Sequence, residues 1–374
     1  MSQEIFEFMS QIKKVAVLGC GKIGKLVCHL LADSGDYAVT GIDSDLNQAQ
    51  NALKRKNGQM LANAKAEKAD FTNKAELEKS ISGQDYVLSC APYHCNVLIA
   101  EICLAKGAHY LDLTEDVATT KAVKALSEKG KSAFIPQCGL APGFISIVAN
   151  SLASEFDTLD SVKMRVGALP IYPHNRLKYN LTWSTEGLIN EYGNPCEAVC
   201  DGKLTLVAPL EGHEIFSLDG LEYEAFNTSG GLGTLAETLS GKVNSLDYKS
   251  VRYPGHRDII ALLMNDLKMN EDRQTLGKIF ERALPYTVQD VVLIFVTASG
   301  MSKGRFQQRS YAKKIYNQTI ADEHWGAIQV TTAAGLCAVL DMHAQGKLQK
   351  TGFIKQEDIT LQSFLENRFG KYYS

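Results

Sequence analysis

The segment Gly19-Cys20-Gly21-Lys22-Ile23-Gly24 carries three glycines at the spacing G-x-G-x-x-G. It follows the apolar run Val15 to Leu18 and opens the helical stretch Lys22 to Ala32. In that context the first glycine allows a tight turn and the second lets backbone approach a pyrophosphate. The third allows close packing of helix on strand. The amides around Lys22 and Ile23 then offer the phosphates the positive end of a helix dipole. A second strand runs from Tyr37 to Ile42 and leads into Asp43, about 20 residues past Gly24, the place of an acidic side chain that binds an adenosine ribose diol. Asp45 adds negative charge and neither neighbour of Asp43 is basic, so a 2′-phosphate is repelled. The expected cofactor is NAD rather than NADP. Asp70 either lies by the adenine or is a solvated loop residue.

Ligands of an open parallel sheet bind beyond the carboxyl ends of its strands. Those ends read Cys90-Ala91-Pro92-Tyr93-His94, Asp112-Leu113-Thr114-Glu115 and Gln137-Cys138-Gly139. Ala91 and Pro92 are expected near the nicotinamide-side ribose. Tyr93, His94, Asp112, Glu115 and Cys138 are the groups best placed for substrate and proton transfer. Each has a plainer alternative. His94 is then an exposed loop residue, Cys138 a small buried hydrophobe and Asp112 the cap of the next helix. Glu115 becomes a solvated charge and Tyr93 an apolar wall over the cofactor. Metal chemistry finds no support: Cys196 and Cys200 lack a second pair, and the eight histidines form no zinc-binding spacing. No G-x-S-x-G nucleophile elbow occurs.

The elements that must position these residues alternate over the first 140 positions. Strand-like runs at Tyr86 to Cys90, Tyr110 to Leu113 and Ala133 to Pro136 are separated by helical stretches at Asn96 to Lys106 and Ala118 to Lys129. Such alternation is that of a parallel sheet covered on both faces. From about Leu159 the runs lengthen and polar loops divide them: Val162 to Leu169, Lys203 to Val207, Lys249 to Tyr253 and Val291 to Ala298. The expected fold class is therefore α/β, a doubly wound Rossmann sheet plus an α+β domain with a mostly antiparallel sheet. The expected divisions are 1–140 for dinucleotide binding, 141–323 for substrate binding and dimerisation, and 324–374 as a helical return. That return is carried by one apolar helix from Trp325 to His343, packed on the first domain.

Bulk composition agrees with a folded enzyme-sized chain. Its 374 residues are 45% hydrophobic and 22% charged, with a net charge of -3. The balance argues against nucleic acid or an anionic membrane as partner, and Val291 to Val296, the longest clean apolar run, is far too short to span a bilayer. Met1 to Ser10 lacks the charged-then-apolar order of a signal peptide. Nine cysteines without a framework suit a reducing compartment, and a cytoplasmic location is expected.

Four further blocks carry a family resemblance. Gln137-Cys138-Gly139-Leu140-Ala141-Pro142-Gly143-Phe144 resembles the G-L-x-P-G turn of the saccharopine dehydrogenase family. The blocks Trp183 to Ile189, Glu224 to Gly231 and Lys249 to His256 each resemble their own segment of that family, in the same order. Ala141 in the turn is similar to lysine 6-dehydrogenase members, whereas glutamate-forming saccharopine dehydrogenases usually carry Asp there. The resemblance implies NAD(P)-dependent hydride transfer at a carbon bearing nitrogen, with lysine oxidised at its ε-amine to the semialdehyde through an imine. Saccharopine dehydrogenase and carboxynorspermidine dehydrogenase are the alternatives. An NAD-sensing regulatory protein is the non-enzymatic one, against which the polar strand ends argue. A homodimer formed through the second domain's sheet is the family expectation.

A lysine-like substrate presents an α-carboxylate and an α-ammonium. Arg252, in the Arg-Tyr-Pro-Gly block, is the expected carboxylate clamp because guanidinium offers a bidentate fork; Arg176 is second. Glu186 either accepts the α-ammonium or caps its own helix. Trp183 lines the pocket or belongs to the core. Asn227, Thr228 and Ser229 form a polar turn that either binds substrate or lies at the surface.

Overall fold

The computed structural model describes residues 12–374, so the Met1 to Ser10 reading lies outside the described residues. Six strands, β1 (Lys13–Leu18), β2 (Tyr37–Asp43), β3 (Ala64–Lys68), β4 (Tyr86–Ser89), β5 (His109–Asp112) and β6 (Ala133–Ile135), build the first sheet. A short strand, Gly352–Phe353, adds beside β6. Every pair is parallel and the order runs 352–353, β6, β5, β4, β1, β2, β3. The strand order reverses between β1 and β4, which opens a crevice at their carboxyl ends. Helix α1 (Lys22–Ser34) leaves that crevice and ends at Gly35, whose left-handed backbone closes the last turn.

The second sheet has eight strands: β7 (Thr158–Pro170), β8 (Cys196–Cys200), β9 (Lys203–Val207), β10 (Glu214–Leu218), β11 (Leu221–Asn227), β12 (Val243–Arg252), β13 (Asp290–Ser302) and β14 (Arg305–Tyr316). The order is β10-β11-β12-β7-β13-β14, with β8 and β9 added beside β12. All pairs are antiparallel except β7 with β12, whose register sets Ser250 against Val166. Successive strand residues face opposite sides. Hence Val166, Ala168, Tyr248, Ser250 and Arg252 share the face that meets the first domain. Arg165 and Lys249 lie on the other, held by Glu214, with Asp247 also on Arg165.

After β7 comes α2 (Thr185–Gly193), which packs against the helix Arg273–Ala283, and later the chain returns through α3 (Ala327–Ala344). Helix α3 is long and apolar enough to cross a bilayer, yet 83% of it is buried inside the fold. It has no separate polar face, which suits a helix buried on most sides. A Cβ on Gly335 would lie 2.8 Å from the Cys138 carbonyl oxygen, so the helix presses directly on the 137–143 turn. Its far end is pinned to the first sheet. Asp341, fully buried, accepts from Tyr37 Oη at 2.7 Å and Asn367 Nδ2 at 2.8 Å, while Tyr86 Oη meets His343 Nδ1 at 2.8 Å.

Candidate functional site

The glycine turn is tight on two sides and open on the third. Gly19 has a φ of 91°, and a Cβ there would lie 2.6 Å from the Cys90 carbonyl oxygen. A Cβ on Gly24 would come to 1.9 Å from the Gly19 oxygen, whereas one on Gly21 would meet nothing within 4 Å. At Gly21 helix α1 starts with no side-chain cap, leaving its first amides unused. This is a cradle suited to a pyrophosphate, and a side chain on Gly21 would fill it. Asp43 supports the same turn: one carboxylate oxygen accepts from Cys20 N at 2.8 Å, the other from Asp45 N at 3.0 Å. Half-exposed, it keeps acceptor capacity for a ribose diol. Lys22 lies at the mouth, its Nζ 3.7 Å from the centre of the Tyr286 ring, and burial lowers its pKa. Asp70 is an exposed turn residue accepting from Thr72 N and Oγ1, at 2.8 and 2.7 Å; it takes no part in the cleft wall.

From this turn a cleft of about 500 Å³ runs between the sheets. Its first-domain rim holds Ile23, Ala91, Pro92, Tyr93, Glu115 and the Gly139–Pro142 turn. Burial raises the Glu115 pKa, against a backbone hydrogen bond, and the nearby Asp116, Asp112 and Glu186 charges add to the rise. The Tyr93 pKa is likewise raised by burial, then by the charge of Glu186. Trp183 and Glu186 both line the cleft, and Trp183 also packs against the core of the second domain. Glu186 does not cap its helix: Ser184 does, accepting from Gly187 N at 3.1 Å.

The opposite wall centres on Arg252, which is only 3% exposed. Its Nε donates to Tyr192 Oη at 3.0 Å and its Nη1 to the Val251 carbonyl at 2.9 Å. The Tyr179 ring lies 5.1 Å from the guanidinium carbon. Tyr192 Oη in turn meets His256 Nε2 at 3.0 Å, and His256 Nδ1 meets the Leu177 carbonyl at 2.8 Å. A carbonyl only accepts, so Nδ1 carries the proton and Nε2 accepts from Tyr192. Burial, then the neighbouring Arg252, lowers the His256 pKa to about 3, which keeps it neutral. Nη2 remains for the cleft.

Several expected residues lie elsewhere. His94 is exposed on the turn after β4 and does not line the cleft. Asp112 faces inward, accepting from Tyr110 Oη at 2.8 Å, Thr114 N at 3.0 Å and Gln137 N at 2.9 Å. It ties two strand-end loops together, and burial raises its pKa to about 6 against those bonds. Cys138 is fully buried, its Sγ on the Ile135 carbonyl at 3.0 Å, and burial pushes the thiol well above its usual range. A thiol so held is no nucleophile. Thr228 sits behind the wall, sharing a 2.8 Å hydrogen bond with Ser250; Asn227 donates to the Ala208 carbonyl at 3.2 Å and Ser229 to that of Asn190 at 3.1 Å. Arg176 is exposed. The cleft also brings in residues the sequence reading passed over: Glu191, Thr182, Tyr248 and Ser250.

Two family models cover nearly the whole chain: the saccharopine dehydrogenase NADP binding domain over residues 15–135 and the saccharopine dehydrogenase C-terminal domain over 139–369. The chain belongs to the saccharopine dehydrogenase family. It is 23% identical over 366 residues to the mitochondrial alpha-aminoadipic semialdehyde synthase of Bos taurus, covering 91% of this chain and 38% of that protein. The corresponding Mus musculus protein is 27% identical over 217 residues, 55% of this chain and 23% of its own length. A Saccharomyces cerevisiae saccharopine dehydrogenase [NADP(+), L-glutamate-forming] is 29% identical over 211 residues, 52% of this chain and 44% of its own. The chain thus spans less than half the length of these relatives. The solved apo structure of the L-Glu-forming saccharopine dehydrogenase from Saccharomyces cerevisiae superposes with a TM-score of 0.76. It is 17% identical and covers 92% of this chain and 94% of that one, so the fold is shared.

The glycine geometry separates two effects. Gly21→Ala should fold with unchanged thermal stability yet bind pyridine nucleotide at least tenfold more weakly, because its methyl fills the cradle. Gly24→Ala should lose both, since its Cβ collides with backbone. Melting curves with cofactor titrations check this, and equal stability loss in the two variants would contradict it.

Proposed function

We propose that this protein is a pyridine-nucleotide-dependent dehydrogenase acting at a carbon–nitrogen bond of a dibasic amino acid of the lysine type. The carrying observation is the charge of the cleft. Among its described lining residues, Glu115, Glu186 and Glu191 face two cations, and one of these, Lys22, lies at the nucleotide end. Arg252 alone remains for substrate. An amino acid with one carboxylate and two amines complements that set. Saccharopine, the substrate named for the yeast relatives, carries three carboxylates. Two of them would then face glutamates, and like-charge juxtaposition costs several kcal/mol. The competing reading, saccharopine itself, is supported by those relatives' names.

A pyridine nucleotide held by its pyrophosphate at the glycine turn would supply the hydride acceptor. The chain's own residues do the rest. Arg252 holds the α-carboxylate, which orients the substrate along the cleft. Glu115 takes the proton that the distal ammonium must lose before its lone pair can form the imine. Trp183 and Tyr93 exclude water from the reacting end. NAD is proposed over NADP on the strength of Asp43, although NADP appears in the names of the family model and of the yeast relatives.

Arg252→Ala should lower kcat/KM for lysine by roughly thirty- to several-thousand-fold, equivalent to about 2–5 kcal/mol. Cofactor affinity should barely change. A diamine without the carboxylate should be a poor substrate for wild type and indifferent to the mutation. Equal losses on both substrates, with a lowered melting temperature, would reduce Arg252 to a structural role.

Turnover in the amine-oxidising direction should rise with pH, because base and amine must both be unprotonated. With Glu115 held above the usual carboxylate range, the acid limb lies at higher pH than for an ordinary glutamate. Glu115→Gln should cut kcat and abolish that limb. A variant keeping both kcat and limb would remove Glu115 from the reaction.

For the cofactor, wild type should bind NAD more tightly than NADP, and Asp43→Ala should weaken NAD and relax the discrimination. A tenfold wild-type preference for NADP would show that the Asp43 carboxylate does not select the ribose.

A further inference from the structure

Glu191 is 9% exposed and sits on the cleft face of α2. Its only ion pair among the described residues is with Arg252, whose Nη2 is 3.9 Å away, too long for a hydrogen bond. Burying a carboxylate is costly: burial raises its pKa to about 8 against the pull of Arg252, with the Glu115 charge adding to the rise and a hydrogen bond from Ser250 opposing it. Arg252 is in a matching condition: two of its nitrogens are bonded and the third faces only this carboxylate. Thr182, 2% exposed and also lining the cleft, has a hydroxyl with no hydrogen-bond partner among the described residues. A cation and a carboxylate are thus side by side, near enough to act as a unit and too far apart to satisfy each other.

That arrangement has a natural complement. An α-amino acid carries its ammonium and carboxylate on one carbon, so a receptor for it needs opposite charges adjacent and open. We propose that Arg252 and Glu191 together form a clip for the zwitterionic end of an α-amino acid, Arg252 taking the carboxylate and Glu191 the α-ammonium. This rests on the amino-acid reading above and deepens it. It also leaves Glu186, exposed at the rim of the same cleft, for the distal amine. The clip is a specificity device: it holds the α-end away from the reacting end and makes the α-ammonium a requirement for tight binding.

The test compares L-lysine with 6-aminohexanoate, which keeps the carboxylate and the distal amine and lacks the α-ammonium. Calorimetry on the full chain with bound pyridine nucleotide reads affinity, and cofactor absorbance reads turnover. Wild type should bind lysine roughly ten- to a hundredfold more tightly than 6-aminohexanoate. Glu191→Gln should remove that preference by weakening lysine alone, with 6-aminohexanoate unchanged. Glu191→Asp should restore part of it. A wild type that does not prefer lysine, or a Glu191→Gln variant that weakens both ligands equally, overturns the clip. Tight lysine binding that depends on Glu191 without any turnover would instead overturn the reaction assigned above and leave the clip standing.

Discussion

A guanidinium that is 3% exposed must be stripped of water and still remain charged. Arg252 meets that constraint through three supports: the Tyr192 hydroxyl, the Val251 carbonyl and the face of the Tyr179 ring. Much of the second domain's inner wall follows from them. Tyr192 can accept from Arg252 because its own proton goes to His256, and His256 stays neutral because it is buried beside the cation. None of these groups reaches Nη2. The wall therefore presents a single directed positive charge to the cleft, in surroundings of low dielectric where one such charge counts for much more than at a surface.

The fold brings that charge opposite the nucleotide end by two independent routes. The parallel pairing of β7 with β12 puts Val166, Ala168, Ser250 and Arg252 on one continuous face. Meanwhile α3 presses on the 137–143 turn and is pinned through Asp341 and His343 to the first sheet. Asp112 adds a third fastening by joining the loops after β5 and β6. Burying its carboxylate is costly, and the hydrogen bonds from both loop backbones and Tyr110 offset that cost.

The glycine turn, its strand–helix setting and the layer order are legible in the sequence because backbone sterics and hydrophobic period dictate them. Arg252 is legible through its block. Glu191 is not: α2 reads Thr-Glu-Gly-Leu-Ile-Asn-Glu-Tyr-Gly, and only the docking of that short helix decides which glutamate meets Arg252. Asp112, between two leucines, offers the same ambiguity, since the turn of the loop after a strand decides where its side chain points. β3 reads Ala-Lys-Ala-Glu-Lys and carries too little apolar character to announce itself. Nor does any local pattern show that β7 and β12 pair in parallel, because register between strands so distant in sequence is a property of the assembled sheet.

A substrate anchored by its α-end at Arg252 presents its far carbon, not Cα, to the hydride acceptor. Deuterium labelling reads this directly, in single-turnover reduction of bound cofactor by lysine deuterated either at Cε or at Cα. The account predicts a primary isotope effect from the Cε label and none from the Cα label. An effect from Cα alone would mean that the cleft binds its substrate the other way round, and would contradict it.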